Sequence, residues 1–299
     1  MSHADQPQHV PVLLDETTRL LQPERGGTFV DCTLGLGGHT RALLEGGASR
    51  VVGIDRDTEA LAAAARVLAP YGDRVRFVHA DYRDLDRVLD AEGLTTVQGA
   101  LADLGVSSLQ FDGPGRGFSF RRDEPLDMRM DRTAGLTAAE RLASVSETEL
   151  ADVIFQFGEE RKSRRVARAI VAARAREPIA TTGQLAAIVR RAVAAPGWQR
   201  LDPATRTFQA LRIWVNGELD RLDEFVRRAV LRLVEGGRLA VISFHSLEDR
   251  VVKHTLRALD RTEGLVRVVT ARPIVASDAE IALNPRARSA RLRVAERLA

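Results

Sequence analysis

The stretch V-D-C-T-L-G-L-G-G-H-T, from Val30 to Thr40, decides how this chain is read. Thr28, Phe29, Val30 and Cys32 are small, apolar or β-branched, as in a short buried strand, and His39-Thr40-Arg41-Ala42-Leu43-Leu44 has helical composition. A strand that breaks at glycines and re-enters a helix is the front of a nucleotide-type site. Glycine admits a close ligand, and the helix N-terminus offers unpaired N–H groups. Twenty residues beyond Gly35, Asp55 ends a second apolar run, Val51-Val52-Gly53-Ile54. A carboxylate at that point accepts both hydroxyls of a ribose. Alone, Gly35, Gly37 and Gly38 would signify only a tight turn; strand, helix and Asp55 together point to a nucleoside.

A dinucleotide loop follows G-x-G-x-x-G, and Gly35-Leu36-Gly37-Gly38-His39-Thr40 lacks the third glycine. An acid, Asp31, stands just before the loop. S-adenosylmethionine has no diphosphate to cradle, but its sulfonium and ammonium attract carboxylates. The strand-end acids Asp31, Asp55 and Asp103 therefore suit it better than a nicotinamide dinucleotide, although Thr33 sits where many methyltransferases carry their first glycine. A dinucleotide-dependent oxidoreductase and a non-catalytic RNA-binding factor remain the competing classes.

Working outward, the 299 residues suffice for a full α/β core with a second, smaller domain. Hydrophobic content of 44% with 28% charge is globular rather than disordered. Of 44 basic side chains only Lys162 and Lys253 are lysines, leaving 42 arginines, so the pI is about 9.6 at a net charge of only +3. Arginine's planar fork suits bidentate phosphate contacts and so favours a nucleic-acid partner. The single cysteine, Cys32, excludes an internal disulfide and a multi-cysteine zinc site, and the histidines show no metal-ligand spacing. Met1 to Val12 lacks the basic start and apolar core of a signal peptide, and no stretch nears the ~20 apolar residues of a membrane span. The expected setting is cytoplasmic, with no membrane and no metal.

Strands and helices alternate from Thr28 to Asp103, which predicts a parallel sheet with ligands beyond the strand ends at Asp31, Asp55, Tyr82 and Asp103. After Asp103 the alternation stops. A glycine- and arginine-rich loop, Gly105 to Asp131, leads into helical blocks with capping boxes at Ser146–Glu149 and Thr181–Gln184 and a basic run from Arg161 to Arg176. That run is either a solvated face or a phosphate-binding one. Asp202-Pro203 starts a helix whose apolar residues, from Phe208 to Leu233, predict one long element ended by Gly236-Gly237. A fifth strand, Arg238 to Phe244, and two closing hairpin strands, Val266–Thr270 and Ala290–Ala295, follow. The fold class is thus α/β, a Rossmann-like class I methyltransferase sheet with an inserted helical domain. Residues 1–109 and 206–299 form the core, and 110–205 the insertion.

Asp103, or the carbonyl of Leu104, ends the strand expected to face a transferred methyl, with Ser107 or Ser108 assisting. In-line positioning is most of what such a transfer needs. Tyr82 stands where an adenine ring would stack, and Gln110 can hydrogen-bond a cofactor. His245 is placed to take a proton or to hold the base, against the plainer reading of a structural histidine.

Several long motifs in order then show a resemblance over nearly the whole chain to the MraW/RsmH-type methyltransferases. They are H-V-P-V-L-L-D-E at His9–Glu16, D-C-T-L-G-L-G-G-H-T at Asp31–Thr40, G-I-D-R-D at Gly53–Asp57, and D-L-G-V-S-S at Asp103–Ser108. R-G-F-S-F at Arg116–Phe120, L-D-M-R-M-D at Leu126–Asp131, F-Q-A-L-R-I-W-V-N at Phe208–Asn216, S-F-H-S-L-E-D-R at Ser243–Arg250 and N-P-R-A-R-S-A at Asn284–Ala290 complete the set. The resemblance implies S-adenosylmethionine-dependent methylation of N4 of a cytidine in 16S rRNA of the small ribosomal subunit. It also implies that the insertion of residues 110–205 serves RNA recognition, and it implies cofactor contacts at Gly37, Gly38, His39, Asp55, Tyr82, Asp103 and Gln110. The family often has Phe at the position of Tyr82 and Pro at that of Leu109. Asp103, Ser107 and His245 are the catalytic candidates, and a homodimer stays open.

Overall fold

The computed structural model describes residues 11–193 and 202–299. His9 and Val10, which open the first motif, lie outside the described residues, as does the side chain of Ser108. The chain forms two compact units, one of the residues up to Gly105 with Arg221–Ala299 and one of Val106–Asp220. The first unit opens with α1 (Leu14–Leu21) and then alternates: β1 (Thr28–Asp31), α2 (Gly38–Glu45), β2 (Arg50–Asp55), α3 (Thr58–Leu68), β3 (Val75–His79), α4 (Leu85–Ala91) and β4 (Val97–Asp103). The second unit holds α5 (Ser108–Asp112), α6 (Ala138–Ser144), α7 (Glu147–Gly158), α8 (Ser163–Arg174), α9 (Thr182–Val193) and α10 (Ala204–Asn216). The first unit resumes with α11 (Leu222–Leu231), β5 (Leu233–Ser243), α12 (Ser246–Arg261), β6 (Val266–Val268), α13 (Asp278–Leu283) and β7 (Arg291–Arg297).

Among the described residues the strands form one seven-stranded sheet in the order β3-β2-β1-β4-β5-β7-β6. The first five in that order are parallel, and β7 runs antiparallel to both β5 and β6. This is the Rossmann-like methyltransferase arrangement, and the closing hairpin expected near the C-terminus forms as β6 and β7. Strand β1 is central, with Val30 opposite Val52 on one side and Ala100 on the other. Val30, Val51, Val52, Ile54, Ala100 and Leu101 are all at most 1% exposed. Such continuous apolar runs are what a sheet covered on both faces requires. The chain order reverses between β1 and β4, so the crevice beyond their C-terminal ends is where a ligand fits.

The second unit has its own core, which includes Leu142, Leu150, Ile154, Val166, Ile170, Leu185, Val189, Phe208 and Leu211. On α8, Val166, Ala167 and Ile170 point into that core, whereas Arg161, Arg164, Arg165 and Arg168 are exposed.

The single long helix expected from Asp202 to Leu233 is two helices. Gly217 (φ 58°) ends α10 in the left-handed region and donates its N–H to the Ile213 carbonyl, and Arg221 (φ 53°) opens α11 in the same region. Two left-handed residues four apart break the helical path, a feature that apolar spacing does not register. Helix α10 accordingly belongs to the second unit, so the structure draws the boundary after Asp220. Asp202 does cap α10, accepting from Ala204 N at 2.8 Å. Leu233, Gly236 and Gly237 lie inside β5 rather than ending a helix.

Candidate active site at the strand ends

The C-terminal ends of β1, β2 and β4 each carry an aspartate. Asp31 is 1% exposed and accepts from Thr40 Oγ1 at 2.8 Å and Thr33 N at 3.2 Å. Burial raises its pKa to about 6; those two hydrogen bonds pull the other way, and the nearby Asp55 adds to the rise. Asp55 accepts from Gly35 N and Asp57 N, both at 2.8 Å, which ties the glycine loop to the end of β2. Its pKa is raised too, chiefly by burial, and the charge of Arg56 only moderates the rise.

Asp103 is the most strongly affected. Burial first, then the charges of Asp31 and Glu248, push its carboxyl well above the usual carboxylate range. A side-chain exposure of 26% tempers that effect without changing its direction. Its Oδ1 is buried with no hydrogen-bond partner among the described residues, and its Oδ2 lies 3.8 Å from His39 Nε2. Its backbone N–H donates to Thr33 Oγ1 at 2.6 Å. Thr33, which replaces an expected glycine, thus fastens the end of β4 to the end of β1.

The loop between β1 and α2 is built by close packing. Gly37 caps α2 with φ 78°, and a Cβ there would meet Leu68 Cδ1 at 2.6 Å. A Cβ on Gly38 would come within 2.3 Å of Pro11 Cγ. His39, in the first turn of α2, is 7% exposed. Past β3, Asp81 accepts from the Arg83 backbone and side chain and from Arg56. Burial works to raise its pKa, but these partners hold it below the usual value. The next residue, Tyr82, rests its ring on Phe225 of α11 at 4.6 Å between centroids, and burial pushes its phenol upward.

Gly37, Gly38, His39, Asp55, Tyr82 and Asp103 are therefore gathered at the strand ends of the first unit. His245 is there as well, but as the cap of α12. Its Nδ1 accepts from Glu248 N at 3.3 Å, Glu248 accepts from Phe244 N and His245 N, and His245 Nε2 stands 3.1 Å from Glu248 Oε1. Ser107 and Gln110 pack in the second unit, where each side chain accepts the other's backbone N–H in a capping box that starts α5. Sequence reasoning overlooked Glu248, although H-x-x-E ahead of an amphipathic helix carries the capping-box signal. It likewise overlooked Thr40, whose hydroxyl holds Asp31.

Among the described residues no arginine or lysine forms an ion pair with Asp31, Asp55 or Asp103. Buried carboxylates without a paired cation form a site that favours a positively charged ligand.

The chain is similar to proteins already known. It is 53% identical over 291 residues to ribosomal RNA small subunit methyltransferase H of Sorangium cellulosum, covering 97% of this chain and 91% of that one. It is 52% identical to the protein of the same name from Cyanothece sp., covering 97% and 95%. Among solved structures, an rRNA methylase from Streptococcus thermophilus aligns over 100% of both chains at 13% identity with a TM-score of 0.42. The sequence profile of the MraW methylase family matches residues 6–298, and the chain belongs to that family.

Proposed function

We propose that this chain transfers the methyl group of S-adenosylmethionine to N4 of a cytidine in the 16S rRNA of the small ribosomal subunit, in the cytoplasm. The observation that carries the reading is the trio Asp31, Asp55 and Asp103, raised in pKa and with no arginine or lysine ion-paired to them among the described residues, on a chain of a methylase family. A sulfonium and an ammonium seated among these carboxylates relieve their mutual repulsion, whereas the diphosphate of a nicotinamide dinucleotide adds to it. The relatives named for small-subunit rRNA supply the substrate class.

In this reading the first turn of α2, at Gly37, Gly38 and His39, receives the amino-acid end of the cofactor. Asp55 receives the ribose hydroxyls, and Tyr82 receives the adenine. Bound there, S-adenosylmethionine offers an electrophilic methyl on a good leaving group. Asp103 accepts an N–H of the cytosine amine, turns its lone pair along the line of transfer, and takes up the proton released when the N–C bond forms. A carboxyl whose pKa already lies high is suited to hold that proton. His245 keeps Glu248 in place rather than touching the base. The exposed arginines Arg161, Arg164, Arg165 and Arg168 hold the RNA backbone, while single-stranded cytosine is reached by splaying it from its neighbours.

Calorimetry with S-adenosylmethionine against NAD tests the cofactor, and tight binding of NAD alone would overturn it. Labelled methyl transfer to free RNA and to intact small subunits, followed by mapping the modified nucleotide, tests the substrate. N4-methylcytidine that persists unchanged in a deletion strain would overturn that part.

A further inference from the structure

Two segments that play no part in the chemistry above are the N-terminal motif H-V-P-V-L-L-D-E and the stretch leading into N-P-R-A-R-S-A. The structure brings them together. Leu13 N donates to Glu280 Oε1 at 2.7 Å, joining residues 267 apart in sequence. Leu13 is fully buried and holds a left-handed backbone, φ 53° and ψ 38°. A non-glycine residue adopts that region only where its surroundings enforce it. Val12 and Leu13 share one apolar cluster with Ala276, Ala287 and Ala290, which flank α13. The far end of α1 is tied as well, since the Leu20 carbonyl accepts from Arg238 Nη1 at 2.7 Å.

Two residues before Leu13, Pro11 is buried and its ring lies where a Gly38 side chain would be. Gly38 is the first residue of α2, directly before His39, which faces Asp103. A line of contacts therefore runs from Glu280 through the Leu13 backbone and the Pro11 ring to the first turn of α2. The carboxylate fixes the turn at Leu13, the turn sets the height of Pro11, and Pro11 sets how far Gly38 and its N–H approach a ligand.

We propose that Glu280 is a positioning residue for the cofactor loop, acting through Leu13 and Pro11 without touching the ligand. This rests on the reading of that loop as the S-adenosylmethionine site. A carboxylate accepting from a partly buried backbone N–H is among the stronger hydrogen bonds. Its loss lets the loop sample positions in which Gly38 no longer meets the ligand.

The test is calorimetry of the full-length chain with S-adenosylmethionine, alongside kcat at saturating cofactor, for Glu280→Ala, Glu280→Gln and Pro11→Ala. Glu280→Ala is expected to weaken cofactor binding about tenfold, or 1.4 kcal/mol, with kcat and the KM for RNA unchanged. Glu280→Gln keeps an acceptor oxygen for Leu13 and should restore most of the affinity. Pro11→Ala should weaken the cofactor in the same sense, and it serves where Glu280→Ala does not fold. Equal cofactor affinity in all three variants and the unaltered chain would sink the inference, as would Glu280→Gln binding as weakly as Glu280→Ala. Failure of the unaltered chain to bind S-adenosylmethionine would instead sink the reading of the site itself.

Discussion

Two clusters of buried and half-buried acids in the first unit have opposite electrostatics. At the tips of β1, β2 and β4, Asp31, Asp55 and Asp103 form no ion pair with arginine or lysine among the described residues, and burial raises all three. Around β7, Asp249 of α12 accepts from Arg293 Nε at 2.7 Å and Arg291 Nη1 at 3.0 Å, and Glu296 is within 2.9 Å of both Arg238 and Arg267. Burial works to raise these two as well, yet their arginines outweigh it and hold both below the usual range. The chain has 42 arginines, and none among the described residues forms an ion pair with the first cluster. The acids around β7 are neutralised by arginines, and the proposed site is the group of acids that is not.

The largest effect that can break this contrast is catalytic. Asp103→Ala should lower kcat roughly 10³- to 10⁴-fold, the combined size of lost proton uptake and lost aim. Because the side chain has no ion pair with Arg or Lys, the melting temperature should hold or rise. Single-turnover methylation beside a thermal melt reads both. Full turnover in the variant would take Asp103 out of the mechanism and reduce the tip cluster to a structural accident.

Next in size is the opposite cluster. Asp249→Ala strands Arg293, which is 7% exposed, without its carboxylate. Leaving a buried charge uncompensated costs about 3 kcal/mol. Denaturant unfolding should show that loss while turnover per folded molecule stays near normal. A loss under about 1 kcal/mol, the range of an exposed pair, would mean that water reaches Arg293 and that the two clusters differ less than their burial implies.

A smaller effect is carried by pH. Asp31 sits near 6 in the folded chain, against 3.8 for an unperturbed aspartate such as the unfolded chain presents. Between those values the folded state keeps a proton that the unfolded state has released, so stability falls as pH rises from about 4 to 6. The whole effect is about 3 kcal/mol at most. Asp31→Asn should flatten that slope in the ligand-free protein. An unchanged slope between variant and wild type would show that Asp31 ionises normally.

The part of this contrast that depends on local order was open to sequence reading. The strand, glycine loop and helix around Val30–Thr40, the acid Asp55 and the five parallel strands all follow from short-range composition. The pair of Arg238 on β5 with Glu296 on β7 is not legible in sequence, because the two are 58 residues apart and only the antiparallel register sets them opposite each other. The contact of Glu280 with Leu13 was hidden for the same reason. The break in the long apolar helix was missed because Arg221 gives no sign in its composition that it adopts a left-handed backbone. His245 is ambiguous in sequence because its place as the cap of α12 depends on Glu248, whose backbone N–H its Nδ1 accepts.

The smallest effect concerns the second unit, where the same logic appears with the charges reversed. Arg161, Arg164 and Arg165 are exposed at the head of α8 and form no ion pair among the described residues, while Arg168 has Glu147 at 3.4 Å. Like charges one helical turn apart repel, so such a face costs the free protein stability. An external polyanion offsets that cost. Each phosphate contact to single-stranded RNA changes the slope of log affinity against log salt by about 0.7. Replacing Arg161, Arg164 and Arg165 with Gln should therefore flatten the slope by about 2 and weaken RNA binding about tenfold, with cofactor affinity untouched. Arg168→Gln should have less effect than any one of the three, since its charge is already partly spent on Glu147. A slope that does not move in the triple variant would return this face to ordinary solvation and leave the strand-tip acids as the one cluster whose missing counter-charge has a function.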